Sequence, residues 1–309
     1  YDKFPGIGVI FGASIIGFWY WCTDQHIVQR ALAAKNLNHA RKGTIFAAYL
    51  KLLPVFMFLV PGMIAAALKA KGIAGFNFVS NDQSYGSMVS NLLPMGVKGI
   101  VVVGFVAALM TSLAAHFNSS ATLFTIDFYK HYRPEASEHR LVWIGRVATI
   151  TVVILGLIWI PIMKSLGAVL YEYLQNVQSL IAPAIAAVFL LGVFSRRITP
   201  KAGEWGLLIG FLVGMFRLIL MIFKPASFSW LLNINWLHFC VFLFFFTIVV
   251  MILISLFTPK ATEEQLKNLT YRSQTPEQIK EIKESWNAWD VVTSLIVVGI
   301  CVAFYVYFW

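Results

Sequence analysis

The chain has 309 residues, of which 59% are hydrophobic and 12% charged, and its 24 basic and 14 acidic side chains leave a net charge of +10. Soluble domains carry about 25% charged residues, so this composition excludes a soluble globular protein and implies an integral membrane one. The basic residues are segregated by loop as in membrane proteins rather than clustered, which excludes nucleic acid as the partner.

Eight membrane spans are predicted, at 5–23, 43–68, 97–126, 141–163, 168–194, 203–223, 235–258 and 288–309. A hydrocarbon layer of about 30 Å needs about 20 helical residues, and each segment is long enough. The first is short and carries Gly6, Gly8, Gly12 and Gly17, which favour a broken or mobile helix. It ends in Trp19-Tyr20-Trp21, a run that suits an aromatic belt at the interface. The second span contains Lys51, in Tyr49-Leu50-Lys51-Leu52-Leu53-Pro54. A lysine at mid-bilayer costs about 2.5–3.5 kcal/mol, which argues for a function. Lys51 is about eight residues, or about 12 Å, into its span, so snorkelling to an interface fits equally well. The loop 69–95 is rich in Gly, Asn and Ser and is expected to cover an outer vestibule.

In the third span Ala108, Thr111 and Ser112 fall at i, i+3 and i+4 and share one helical face. Two hydroxyls with a main-chain carbonyl form a hard, neutral oxygen cluster suited to sodium. The same residues also fit hydroxyls bonded back to their own helix or gluing two helices together. In the fifth span Tyr171, Gln175 and Gln178 form a stripe bordered by Glu172. An aromatic ring beside amides and a carboxylate suits a sugar or polyol, and equally a contact with a neighbouring helix. Gly206, Gly210 and Gly214 in the sixth span read as a helix-packing stripe. The polar segment 259–287 follows the seventh span, and Thr275-Pro276-Glu277 starts a short surface helix running to Trp286. Cys22, Cys240 and Cys301 fall in apolar stretches and read as small hydrophobes, and the six histidines are dispersed. No metal-ligand spacing, phosphate loop or nucleophile–base pair supports an enzyme or an ATP-driven pump.

Basic residues alternate by loop. Arg30, Lys35, Arg41 and Lys42 follow span one; Lys130, Arg133 and Arg140 follow span three; Arg196, Arg197 and Lys201 follow span five. Lys260, Lys267, Arg272, Lys280 and Lys283 follow span seven. The opposite side holds Lys3, Lys69, Lys71, Lys164 and Lys224. Fifteen against five places both ends of the chain outside the cell, in the plasma (inner) membrane.

Five stretches carry a resemblance to a known family. They are Trp19-Tyr20-Trp21-Cys22-Thr23-Asp24-Gln25 through Arg30, Tyr49-Leu50-Lys51-Leu52, Leu93-Pro94-Met95-Gly96-Val97-Lys98-Gly99, Ala107 through Lys130, and Tyr173-Leu174-Gln175 through Gly192. With them the chain resembles the solute:sodium symporter family, most closely its sodium/glucose cotransporter branch, over nearly its whole length and more weakly after about residue 225. The resemblance implies an all-α inverted-repeat membrane fold. Residues 1–194 would be the second five-helix repeat, with half of the sugar and sodium sites, and 195–309 three trailing helices. The first repeat of the same polypeptide would then be a missing partner. The chain also begins at Tyr1 rather than Met, so it reads as the C-terminal part of a transporter and is expected not to transport alone.

Residue by residue, the resemblance makes Tyr20 the inner gate beneath the sugar, with Trp21 beside it. Lys51 and Gln175 would hydrogen-bond sugar hydroxyls, and Tyr171 would be the aromatic outer gate. The Ala108 carbonyl and the Thr111 and Ser112 hydroxyls would form half of the sodium site. Gly17 stands where a bacterial galactose member has a sugar-binding Asn, which leaves the hexose preference open. The implied activity is sodium-coupled symport of glucose or galactose by alternating access, with sodium as coupling ion and no organic cofactor. Symport of myo-inositol or another polyol, a sugar-gated sensor or channel on the same scaffold, and a purely structural membrane subunit are the alternatives.

Overall fold

The computed structural model describes residues 4–165, 170–267 and 269–308. Lys3, the start of the predicted fifth span at 168 and Trp309 lie outside the described residues, and so does the side chain of Lys164. The described elements are helices and turns, without a strand. They are α1 (Gly8–Cys22, π-helical to Ala13), α2 (Gln25–Leu32), α3 (Leu37–Leu50), α4 (Val60–Ala70), α5 (Ser84–Leu92), α6 (Met95–Thr122) and α7 (Glu138–Ser165). Then come α8 (Leu170–Phe194), α9 (Pro200–Phe223), α10 (Trp236–Phe257), α11 (Pro276–Glu284) and α12 (Ala288–Phe308).

Seven of the described helical stretches are long and apolar enough to cross a membrane: Leu37–Ala70, Met95–Tyr132, Glu138–Met163 and four spans lying in α8, α9, α10 and α12. With no strand and this hydropathy, the protein is an all-α integral membrane protein. The predicted first span is the exception among the eight. Helix α1 has six π-helical and nine α-helical residues, about 22 Å at 1.5 Å per residue, short of the hydrocarbon thickness. It is also continuous rather than broken. Gly8 and Gly12 serve contact: a Cβ at Gly12 would lie 2.7 Å from the Leu237 carbonyl oxygen of α10.

By contacts the chain divides into two compact units, one of Tyr1–Tyr49 with Tyr171–Trp309 and one of Leu50–Leu170. The first is held by α8, α9 and α10. The predicted glycine stripe is a packing stripe: a Cβ at Gly206 would collide with Met251, at Gly210 with Ala184 and Thr247, and at Gly214 with the Leu180 carbonyl. Small residues let backbones approach closely, which is how apolar helices associate without a hydrophobic force between them. Leu180, Ala182, Ala184, Ala186 and Ala187 of α8 are buried there, as are Leu243, Thr247 and Met251 of α10. Pro183 lies inside α8 and is buried among these residues. Helix α1 joins through Ile16, which clusters with Ala182 and Cys240, and the Cys240 thiol donates to the Gly12 carbonyl at 3.4 Å. Tyr49 at the end of α3 donates to the Thr293 carbonyl of α12 at 2.8 Å.

The sequence reading did not single out Arg217. It is buried in α9, donates to the Ile234 carbonyl at 2.5 Å and lies 4.1 Å from the Phe239 ring centre. A buried guanidinium needs such partners, and here they tie α9 to the start of α10.

The second unit contains α4 to α7. The π-helical residues Leu123–Tyr129 continue α6, and α6 packs along α7. Between α4 and α6 the segment 71–93 packs Phe76 and Phe78, with Met88, against Ala65 and Leu68 of α4. The predicted polar loop 259–287 carries α11, started by Thr275 in a capping box with Gln278, as the Thr275-Pro276 pair implied.

Gly214→Leu should cost about 1–3 kcal/mol by forcing α8 and α9 apart. Gly104→Ala, where a Cβ meets nothing within 4 Å, should leave stability unchanged. Thermal unfolding of the protein in detergent checks both.

Candidate functional site

The candidate residues lie on four helical segments: the end of α1, the break after α3, the start of α8 and the middle of α6. Helix α1 ends where the Thr23 hydroxyl and the Thr23 and Asp24 amides all turn onto the Trp19 carbonyl, at 2.7, 3.0 and 3.2 Å. The Asp24 carboxylate then caps α2, accepting from the His26 amide at 3.0 Å. This double cap fixes the aromatic run just before it. The Tyr20 and Trp21 rings meet edge to face at 5.4 Å, Tyr20 half-buried and Trp21 exposed. Beside them Gly17 faces open space, since a Cβ there would meet nothing within 4 Å.

Lys51 is placed where its span breaks. Helix α3 stops at Leu50, Lys51 and Leu52 form a turn, and the helix resumes at Leu53 and passes through π-helical Val55–Leu59. Pro54 explains the break: without an N–H it cannot bond the Leu50 carbonyl four residues earlier, and its ring crowds that carbonyl. The exposed Lys51 therefore sits beside a main-chain irregularity rather than on a smooth helix.

On α8 the Gln175 amide donates to the Tyr171 hydroxyl at 3.2 Å, so the i, i+4 stripe is a bonded pair. Tyr171 is exposed, while Gln175 and Gln178 are half-buried. The sequence reading missed Asn176, one position past Gln175. Its side-chain oxygen is buried and accepts no hydrogen bond within the described chain. It lies about 100° around the helix from the stripe, so the i, i+4, i+7 spacing did not reach it.

On α6 the Thr111 hydroxyl donates to the Ala107 carbonyl at 2.8 Å, one of the two arrangements its spacing allowed. A hydroxyl that gives its proton to the helix still turns oxygen lone pairs outward, as a cation ligand must. Ala108, Thr111 and Ser112 are all exposed on an unbroken stretch of α6. Thr125, in the π-helical continuation, is buried with its hydroxyl unbonded. No periodicity marks it, although the quoted family stretch contains it.

These residues fall on both contact units. Tyr20, Trp21, Gly17, Tyr171 and Gln175 belong to the first, and Lys51, Ala108, Thr111 and Ser112 to the second. The chain crosses between units at Tyr49/Leu50 and Leu170/Tyr171, so Lys51 and Tyr171 each stand within two residues of a crossing. Chemically, the first unit offers neutral amides, phenols and an indole, suited to hydroxyl-rich neutral solutes. The second offers hydroxyl and carbonyl oxygens suited to a hard monovalent cation.

Asp24→Ala should loosen the start of α2 by about 1 kcal/mol, seen as about fivefold faster hydrogen exchange at His26 and Ile27.

Comparison with known proteins follows the same lines. The sequence profile of the sodium:solute symporter family matches residues 2–210. Sodium/myo-inositol cotransporter 2 of Oryctolagus cuniculus is 40% identical over 287 residues, 86% of this chain and 43% of the relative. Sodium/glucose cotransporter 4 of Homo sapiens is 39% identical over 287 residues, 86% of this chain and 42% of the relative. A sodium/mannose cotransporter of Bos taurus is 39% identical over 287 residues, covering 86% and 48%. The chain spans a little under half the length of these relatives. The chain belongs to the sodium:solute symporter family.

Proposed function

We propose that this chain is the C-terminal portion of a sodium-coupled symporter for a hexose or a cyclic polyol. The observation that carries the reading is the family match, with relatives named for sodium and a sugar or myo-inositol at about 40% identity over 86% of the chain. Those names support glucose and myo-inositol equally. The open space at Gly17 removes a polar side chain that would help choose between them.

In this reading residues 1–194 form the second five-helix repeat and 195–309 three trailing helices, with a preceding repeat on the same polypeptide. The exposed hydroxyl face of α6 supports it. Polar groups in a membrane span face protein or a water-filled path, and no described residue covers Thr111 or Ser112. Lys51 and Gln175 hydrogen-bond the substrate, and Tyr171 and Tyr20 with Trp21 close over its two sides. Ala108, Thr111 and Ser112 supply oxygens to sodium. The alternation of basic loops supports a cytoplasmic position for the loop after α1 and an outside position for the C-terminal end of the segment.

Sodium binds first and favours an outward-facing state, and the solute then triggers closure and inward opening. The driving force suffices: 100 mV supplies about 2.3 kcal/mol per charge, and a tenfold sodium gradient about 1.4 kcal/mol. Together they support accumulation of roughly several hundredfold per ion.

Ser112→Ala should raise the sodium concentration for half-maximal uptake about tenfold, the loss of one oxygen ligand at 1–2 kcal/mol, with little change in solute selectivity. Gln175→Ala and Lys51→Ala should instead raise the solute KM by about tenfold or more. Uptake measured against sodium and against solute in proteoliposomes separates the two effects. An unchanged sodium dependence in Ser112→Ala would remove the ion assignment.

A further inference from the structure

The end of α8, the start of α9 and the end of α10 meet at one edge of the first contact unit. There the Thr199 amide donates to the Ser255 hydroxyl at 3.3 Å, and the Thr199 and Thr258 hydroxyls share a hydrogen bond at 2.6 Å. The segments 194–204 and 257–273 that run through this edge carry six basic and three acidic side chains. The alternation of basic loops supports a cytoplasmic position for both. We propose that Arg196, Arg197 and Arg272 form a binding site for the phosphate of an anionic lipid in the adjoining leaflet.

The folded chain, rather than a loose basic tail, presents these arginines. Arg196 donates from Nη2 to the Arg272 carbonyl at 3.2 Å, joining positions 76 residues apart. The Phe194 and Tyr271 rings lie 5.8 Å apart next to that bond. Arg272 sits in the turn Tyr271–Ser273, which is capped at the buried Thr270. The Thr270 amide donates to the Ser273 hydroxyl at 3.1 Å, and that hydroxyl donates to the Leu266 carbonyl at 2.7 Å. On the other segment the Arg197 amide donates to the Ser195 hydroxyl at 3.2 Å. The buried Thr199 then caps α9, accepting from the Ala202 amide at 3.3 Å. The main chain around all three arginines is therefore pinned, while their side chains stay exposed.

The charge pattern selects the ligand class. Like charges held together repel unless a counter-charge joins them. Glu204, Glu263 and Glu264, the carboxylates of these segments, are exposed and pair with none of the three arginines. A guanidinium offers its N–H groups as a planar fork that matches two phosphate oxygens. Depth favours a lipid over a protein carboxylate as the source of that charge. Arg196 and Arg197 come two and three residues after the end of α8, where a spanning helix leaves the hydrocarbon and anionic headgroups gather around basic clusters. Phe194 and Tyr271, 56% and 61% exposed, add the aromatic surface typical of this layer. The site goes beyond symport and uses none of the candidate solute or sodium residues.

The test is hydrogen exchange at residues 195–199 and 270–273 of the full-length membrane protein, in nanodiscs of phosphatidylcholine alone and with phosphatidylglycerol added in steps. Both faces of a nanodisc are open, so the result does not depend on sidedness. The expected result is slowed exchange in both segments as phosphatidylglycerol rises. Arg196→Gln with Arg272→Gln should weaken this response by about tenfold or more, two surface charges lost. Lys280→Gln, in α11, should leave it unchanged. Arg196→Lys with Arg272→Lys keeps the charge but loses the fork and should weaken it by about threefold. If the glutamine pair does not reach the membrane, the lysine pair decides. No response to phosphatidylglycerol, or one that survives the arginine substitutions, would overturn the proposal. Equal protection by glycerol 3-phosphate in phosphatidylcholine alone would show a site for a free anion and overturn the lipid assignment. Failure of sodium-driven uptake would not touch it.

Discussion

Helix α8 is held where it is by backbone contact, and the candidate solute residues inherit their positions from that contact. At Gly214 the α9 main chain comes so close to the Leu180 carbonyl that no side chain fits between them. Gly210 leaves the same room for Ala184 and Thr247, and Gly206 for Met251. In a bilayer, apolar surface alone does not drive helices together, so interlocking at this distance carries the association. The N-terminal turns of α8, with Tyr171, Gln175 and Asn176, project from that fixed base. Polar side chains there hold their geometry because the apolar half of the same helix cannot shift.

The spanning helices differ in how far they are covered. In α8, α9 and α10 between 28% and 39% of the apolar stretch is buried, whereas in Leu37–Ala70, Met95–Tyr132, Glu138–Met163 and α12 at most 6% is. The hydroxyl face of α6 belongs to the sparsely covered set. A face bearing Thr111 and Ser112 at mid-span gains from a protein partner or a watered cleft more than from lipid, because hydrocarbon offers no hydrogen bond.

Much of this was legible in the sequence. Hydropathy located seven of the helices that can span a bilayer, and the Gly206–Gly210–Gly214 spacing named the stripe on which α8, α9 and α10 pack. The Tyr171–Gln175 spacing predicted a shared face, which the structure realises as a hydrogen bond. Other features were not legible because they depend on contacts distant in sequence. The glycines of α1 were read as favouring a broken or mobile helix; the helix is continuous, and Gly8 and Gly12 make room for Leu237, some 225 residues away. The break in the second span falls at Lys51–Leu52 rather than at Pro54, because the missing proline N–H acts on the preceding turn. Nothing in the sequence marked Arg217, which is held by Phe239 and the Ile234 carbonyl.

The central claim is that the protein uses a sodium gradient to concentrate a sugar or cyclic polyol. The most direct test is uptake of labelled glucose, galactose and myo-inositol by the full-length protein in proteoliposomes, with an inward sodium gradient and with none. The account predicts accumulation of at least one of these solutes above the external concentration, lost when the gradient is collapsed. Equilibration without accumulation, or no uptake of any of the three, would contradict it.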